Sequence, residues 1–182
     1  MQIEALLDDL EGGDEQSSRR AVVELRGVSD ERIVPALIGR FRSTKITPEF
    51  RNAIAVSLGD AHRPDAKDAL VTAFKDPATE GSRGTLVYAL SQYECGDLLP
   101  ELVNSVISGS YEEAEHAIEI LEATEAEIPT STYRSIQRRL HELSASNDEV
   151  PWRREAIRAC LDLFDDSDEA ASPYPAGLDH LA

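Results

Sequence analysis

The sequence predicts an all-α fold assembled from about five repeated helical hairpins, and three observations carry that expectation. A segment ending in Leu recurs at residues 19–25 (RRAVVEL), 51–58 (RNAIAVSL), 83–90 (RGTLVYAL), 114–121 (AEHAIEIL) and 154–161 (REAIRACL). Its leucines, Leu25, Leu58, Leu90, Leu121 and Leu161, stand 33, 32, 31 and 40 residues apart, which gives a period with one insertion. A second series, Leu37, Leu70 and Leu102, is spaced 33 and 32, so each repeat holds two apolar segments in fixed phase. Within segments the apolar residues follow a helical period, as Ala114, Ala117, Ile118 and Leu121 do at i, i+3, i+4 and i+7. No stretch alternates with period two for long enough to argue a strand.

In chain order the expected pairs are 2–11 with 16–26, 30–43 with 48–58, 64–75 with 80–93, 97–108 with 110–123, and 130–145 with 150–164. The first pair is divided by Gly12-Gly13 and closed by Gly27. Pro48, Pro64 and Pro151 suit helix starts, where a missing N–H costs little. Gly59, Asp76-Pro77, Gly96, Gly109 and Pro129 read as breaks between the later segments. Pro35 and Pro100 occupy the same phase of successive first helices, in the first turn or at a bend there. An aromatic content of 5% suits helices packed through small residues at about 8–10 Å between axes. A chain of 182 residues fits one continuous fold, expected over residues 1–164. The acidic, proline-containing tail 165–182 has no helical stripe and is expected to be disordered.

The run Lys75-Asp76-Pro77, then Arg83, Leu90, Gly96-Asp97 and Leu99-Pro100-Glu101-Leu102, resembles a unit of the HEAT-repeat family, in particular the short HEAT-like repeats named after phycobilin lyases. Equivalent pieces are Asp30 with residues 34–38 (VPALI), and Leu58-Gly59-Asp60, so the resemblance covers roughly residues 14–123. It implies an α-solenoid, an α-α superhelix offering an extended concave surface. It also implies that an Arg seven before each marker Leu packs inward: Arg51, Arg83 and Arg154 fit, whereas Ser18 and Ala114 depart. On physical grounds an Arg on an apolar face must find acceptors, which makes these arginines structural.

Thirty-five acids against 18 bases give a net charge of −17, unfavourable for contact with nucleic-acid phosphates. With only Lys45, Lys67 and Lys75 as lysines, the composition resembles that of salt-adapted proteins, whose acidity serves solvation. The distribution argues for a site instead. Residues 1–15 carry −6, 16–83 carry +3, 84–133 carry −10, 134–161 carry +2 and 162–182 carry −6. From Gly84 to Tyr133 there is no Lys or Arg at all. Positions six and two before each marker Leu form a ridge at the edge of the buried stripe: Arg19 and Val23, Asn52 and Val56, Gly84 and Tyr88, Glu115 and Glu119, Glu155 and Ala159. Around its fourth unit Glu112, Glu115, Glu119 and Glu122 share one face at helical spacing, and with Tyr88 as aromatic anchor they are the expected partner-binding site.

No H-E-x-x-H, phosphate loop, nucleophile elbow or zinc-spaced Cys/His cluster occurs, so no catalytic residue, metal ligand or cofactor is expected. His141-Glu142 is a single His-Glu pair, whereas the HEAT-like hydroxylases hold iron with several. His116 sits among Glu112, Glu113, Glu115 and Glu119, a detail of the charge pattern rather than a ligand set. Cys95 and Cys160 lie outside any C-x-x-C pattern and read as buried thiols of a reducing compartment. Acids near the N-terminus do not suit a secretory signal, and no apolar run approaches a membrane span, so a cytoplasmic protein without membrane contact is expected. The expected function is a non-enzymatic interaction scaffold or adaptor with an acidic concave surface, such as an inhibitor or immunity-type protein covering a basic partner. The alternative implied by the repeat's namesakes is a chromophore lyase or its chaperone.

Overall fold

A computed structural model describes residues 2–125, 128–145 and 150–170. Those residues form ten α-helices and two short 3-10 turns, with no strand among them. The helices divide into two compact units, Met1–Cys95 and Gly96–Ala182.

The first unit contains α1 (Gln2–Gly12), α2 (Glu15–Leu25), α3 (Ile33–Phe41), α4 (Pro48–Asp60), α5 (Pro64–Lys75) and α6 (Gly84–Leu90), with a 3-10 turn at Pro77–Thr79. Local chemistry sets the boundaries. The Asp14 carboxylate accepts from the Ser17 N–H and caps α2, and the Thr47 hydroxyl accepts from the Phe50 N–H at 3.3 Å and caps α4. Pro48 and Pro64 open their helices, and Pro35 lies in the first turn of α3. Gly27, at φ 76°, makes the left-handed turn that ends the second helix and leads to α3.

Each helix packs on its hairpin partner and on the helix at the same place in the next hairpin: α1 on α3, α3 on α5, α2 on α4, and α4 on α6. The two rows enclose Leu10, Phe50, Ile54, Leu58, Leu70 and Leu90, all buried. Gly59, expected as a break between helices, lies inside α4 and is buried there. A Cβ at this position would stand 2.9 Å from the Ala89 carbonyl oxygen of α6, so the glycine permits a close helix contact.

The second unit contains a 3-10 turn at Gly96–Leu98, α7 (Leu99–Ser108), α8 (Tyr111–Ala123), α9 (Thr130–Ser144) and α10 (Pro151–Ala170). Pro100 sits in the first turn of α7, and Ser110 caps α8 by accepting from the Glu113 N–H at 3.2 Å. The hairpins α7–α8 and α9–α10 pack through α7 on α9 and α8 on α10. Leu98, Leu102, Val103, Leu140 and Cys160 are buried among them. Helix α10 extends to Ala170, past the expected boundary at Asp165. Its continuation has a tertiary cause, since Asp165 accepts from the Gln137 amide at 2.9 Å and lies 3.4 Å from His141, both on α9. The rest of the expected tail, 171–182, lies outside the described residues.

Candidate functional site

Helix α8 presents two chemically different sides. Ala114, Ala117, Ile120 and Leu121 are buried. Glu112, Glu115, Glu119 and Glu122 are all exposed, with His116 Nδ1 3.1 Å from Glu119 Oε2. The spacings 112–115, 115–119 and 119–122 are i+3 or i+4, so neighbouring carboxylates repel along the helix. Glu112 complements the positive dipole end, but α8 has no basic residue in its last turn, and Glu119 and Glu122 approach the negative end. Tyr88 is 43% exposed on α6 and belongs to the first unit, whereas the four glutamates belong to the second. Of the other ridge positions, Val23 is 68% exposed, while Gly84 is buried.

Glu113 differs from its acidic neighbours. It is 3% exposed, and its carboxylate accepts from the Ser105 hydroxyl of α7 at 2.8 Å, tying the two helices of the hairpin together. The charge pattern alone groups it with the exposed acids; its place at N3 after the cap Ser110 is the signal that separates it.

Two of the marker arginines, Arg51 and Arg83, bind the turns inside their own hairpins. Arg51 donates to the Ser43 carbonyl at 3.2 Å, just past the end of α3. Arg83 donates to the Asp76 carbonyl at 3.0 Å and to the Thr79 hydroxyl at 3.1 Å, with its guanidinium 5.6 Å from the Phe74 ring centroid. Each thus satisfies a carbonyl near where the preceding helix ends.

Three side chains that the ridge phase does not select come together in the second unit. Tyr111, 58% exposed at the start of α8, meets Trp152 at the start of α10 edge to face, with ring centroids 5.5 Å apart. The Arg153 guanidinium lies 5.0 Å from the Trp152 centroid. Tyr111 is ten residues before Leu121, outside the positions sampled, and its partner is 41 residues away.

In the first unit a cavity of about 490 Å³ opens between α2, α3 and α4, with Val22, Leu25, Val34 and Leu37 among its lining residues. Several of its rim charges are paired internally: Arg26 pairs with Asp60 at 2.6 Å, and Arg63 with Asp65 at 2.8 Å, while the exposed Glu31 also lines it. Nearby, hydrogen bonds from the Arg32 guanidinium and then from its backbone N–H hold the Asp30 carboxyl down at about 2. Cys95 and Cys160 are both buried and neither forms a disulfide, and burial pushes the Cys160 thiol up to about 12. Among the described residues no group of three or more His, Cys, Asp or Glu is placed to hold a metal ion, and no helix is long and apolar enough to cross a membrane. No family model, curated protein or solved structure matches the chain.

Proposed function

We propose that the protein is a HEAT-like α-solenoid acting as a non-enzymatic scaffold or adaptor, and that the acidic face of α8 binds a basic protein. The row-on-row packing of hairpins within each unit supports the architectural part. The observation that carries the functional part is the exposure of Glu112, Glu115, Glu119 and Glu122 together, in a stretch from Gly84 to Tyr133 that contains no Lys or Arg. That arrangement works against the helix that bears it, through like-charge spacing and acids near the negative dipole end. Charges kept at a cost to local stability are expected where a partner repays the cost, and acidic complementarity accelerates encounter with a basic surface. An inhibitor or immunity-type role, masking a cationic surface, is the form of binding this charge suits.

The test is affinity capture from source-cell lysate with wild type and with the variant carrying Gln at 112, 115, 119 and 122, at low and moderate salt. One basic protein retained by wild type and lost by the variant supports the reading. Equal capture by both, or none by wild type, removes it and returns the acidity to solvation. A separate Tyr88→Ala variant reports on α6, so the two units are tested independently.

A further inference from the structure

The cavity of the first unit owes its opening to the link between the first two hairpins. Helix α2 ends at Leu25 and α3 begins at Ile33, so residues 26–32 join them, whereas residues 61–63 suffice between α4 and α5. Gly27 turns the chain at φ 76°. The Asp30 carboxylate then holds the end of the link, accepting from the Arg32 backbone N–H at 2.9 Å and from its guanidinium at 2.7 Å. Val22, Leu25, Ile33, Val34 and Leu37 line the resulting cavity of about 490 Å³. That volume lies within the range of small-molecule pockets, about 300–1,000 Å³. Val28, on the link itself, borders the same space and is 37% exposed.

The polar groups around this apolar lining favour one sign of charge. Asp30, Glu31, Asp60 and Asp65 stand against Arg26, Arg32 and Arg63, and each of the three guanidiniums is already bonded to an aspartate at 2.6 to 2.8 Å. Glu31 is the surplus acid: among the described residues it makes no hydrogen bond or ion pair, and the two arginines that feel its charge, Arg32 and Arg63, are held by Asp30 and Asp65. Ser57, also in the lining, donates its hydroxyl proton to the Ala53 carbonyl at 3.2 Å, which leaves its oxygen as an acceptor. An anion therefore meets paired guanidiniums and a committed hydroxyl, whereas a cation meets an unpaired carboxylate. We propose that the cavity binds a small amphipathic cation, with an apolar body against Val22, Leu25, Val34 and Leu37 and one ammonium group at Glu31. The body supplies most of the affinity through buried apolar area. The carboxylate supplies selectivity, since a solvent-exposed ion pair changes affinity by no more than roughly fivefold. The site lies within the first unit and is independent of what α8 binds.

The probes are cyclohexylmethylammonium, cyclohexylmethanol and cyclohexanecarboxylate, which share an apolar body and differ in charge. Each is titrated at moderate salt into the full chain with its methyl groups labelled for NMR. The ammonium should shift the methyl signals of Val22, Leu25, Val34 and Leu37 saturably, with the alcohol roughly twofold to fivefold weaker and the carboxylate weaker still. Glu31→Gln should lower the ammonium to the affinity of the alcohol and leave the alcohol unchanged, a difference that the overall negative charge of the chain does not produce. Ala61→Phe, at the half-buried edge of the cavity, should weaken all three probes. Glu31 also borders a depression lined by Asp8 and Glu11, so Asp8→Asn with Glu11→Gln should leave binding as in wild type. Loss of binding in that double variant places the cation in the depression and overturns the proposal. So does an ammonium indifferent to Glu31→Gln, a carboxylate that binds as tightly as the ammonium, or shifts that spread over the acidic surface without saturating. Should Ala61→Phe disturb the fold, the Glu31 comparison decides alone.

Discussion

Replacing Gly59 with Ala sets two opposing energies against each other at one site. Alanine favours helix over glycine by up to about 1 kcal/mol, and Gly59 lies within α4. Against that gain, the new Cβ would stand 2.9 Å from the Ala89 carbonyl oxygen and 3.1 Å from the Ala89 Cα. Those are backbone atoms, which cannot rotate aside, so α4 and α6 must separate. Overpacking of this kind costs about 1–3 kcal/mol, and because both clashing atoms are backbone the upper half of that range applies, which leaves a net loss on the order of 1–2 kcal/mol. Gly39 provides the internal control, because it is also helical but exposed, and a Cβ there meets nothing within 4 Å. Gly39→Ala should therefore stabilise by about 0.5–1 kcal/mol. Both positions belong to the unit Met1–Cys95, and for a unit of that size 1 kcal/mol moves Tm by about 4–8 °C. Thermal scans and urea melts should show Gly59→Ala lowered by on the order of 5–10 °C and Gly39→Ala raised by a few degrees. A Gly59→Ala protein as stable as wild type would refute the close approach of α4 and α6.

Three further outcomes follow from buried or paired groups. Glu113→Ala deprives the Ser105 hydroxyl of its acceptor and should cost about 1–3 kcal/mol in urea unfolding, whereas Glu113→Gln keeps an acceptor oxygen and should cost less. Asp30 titrates at about 2 when folded, below its ordinary value near 3.9, so its contribution is complete above that ordinary value and is lost as pH falls toward 2; melts across that range should show a flatter acid limb for Asp30→Asn. A thiol reagent at pH 8 should leave the native protein unreacted, since Cys95 and Cys160 are buried, and should titrate both thiols after unfolding in urea.

The hairpins were legible because their punctuation is local. Proline at a helix start acts on the turn that contains it, so Pro48, Pro64 and Pro151 mark boundaries without tertiary context. Gly59 shows the limit of that logic. A glycine that breaks a helix and one that admits a neighbouring backbone look alike in sequence, and only Ala89 of α6 distinguishes them. The division at Cys95 and Gly96 left no trace either, because the leucine period passes through Leu58, Leu90 and Leu121 at 32 and 31 residues without interruption. Of the candidate site, the exposed glutamates could be read from helical spacing, but the ridge was phased on the marker leucines and sampled a strip that misses Tyr111. Trp152 is its partner from another hairpin, and such a pairing exists only once α8 and α10 are packed.

A separate measurement distinguishes a binding face from a solvating one through stability rather than capture. In the variant with Gln at 112, 115, 119 and 122, the three like-charge spacings along α8 are relieved, each worth about 0.2–0.5 kcal/mol. The acids near the negative dipole end are neutralised as well, while the pairing of Glu119 with His116, exposed on the Glu side, contributes little in return. The variant should therefore melt at or above wild type by about 1 kcal/mol in low salt, with the gap closing as salt screens the repulsion. Salt-adapted proteins are expected to behave in the opposite sense: wild type would unfold below roughly molar salt, and removing four carboxylates would lower its stability in concentrated salt. A gain in stability joined to a loss of binding is the signature of residues held for contact with a partner. A loss of both, with wild type stable only in brine, would sink the binding-face reading, because the glutamates would then be holding the fold in solution.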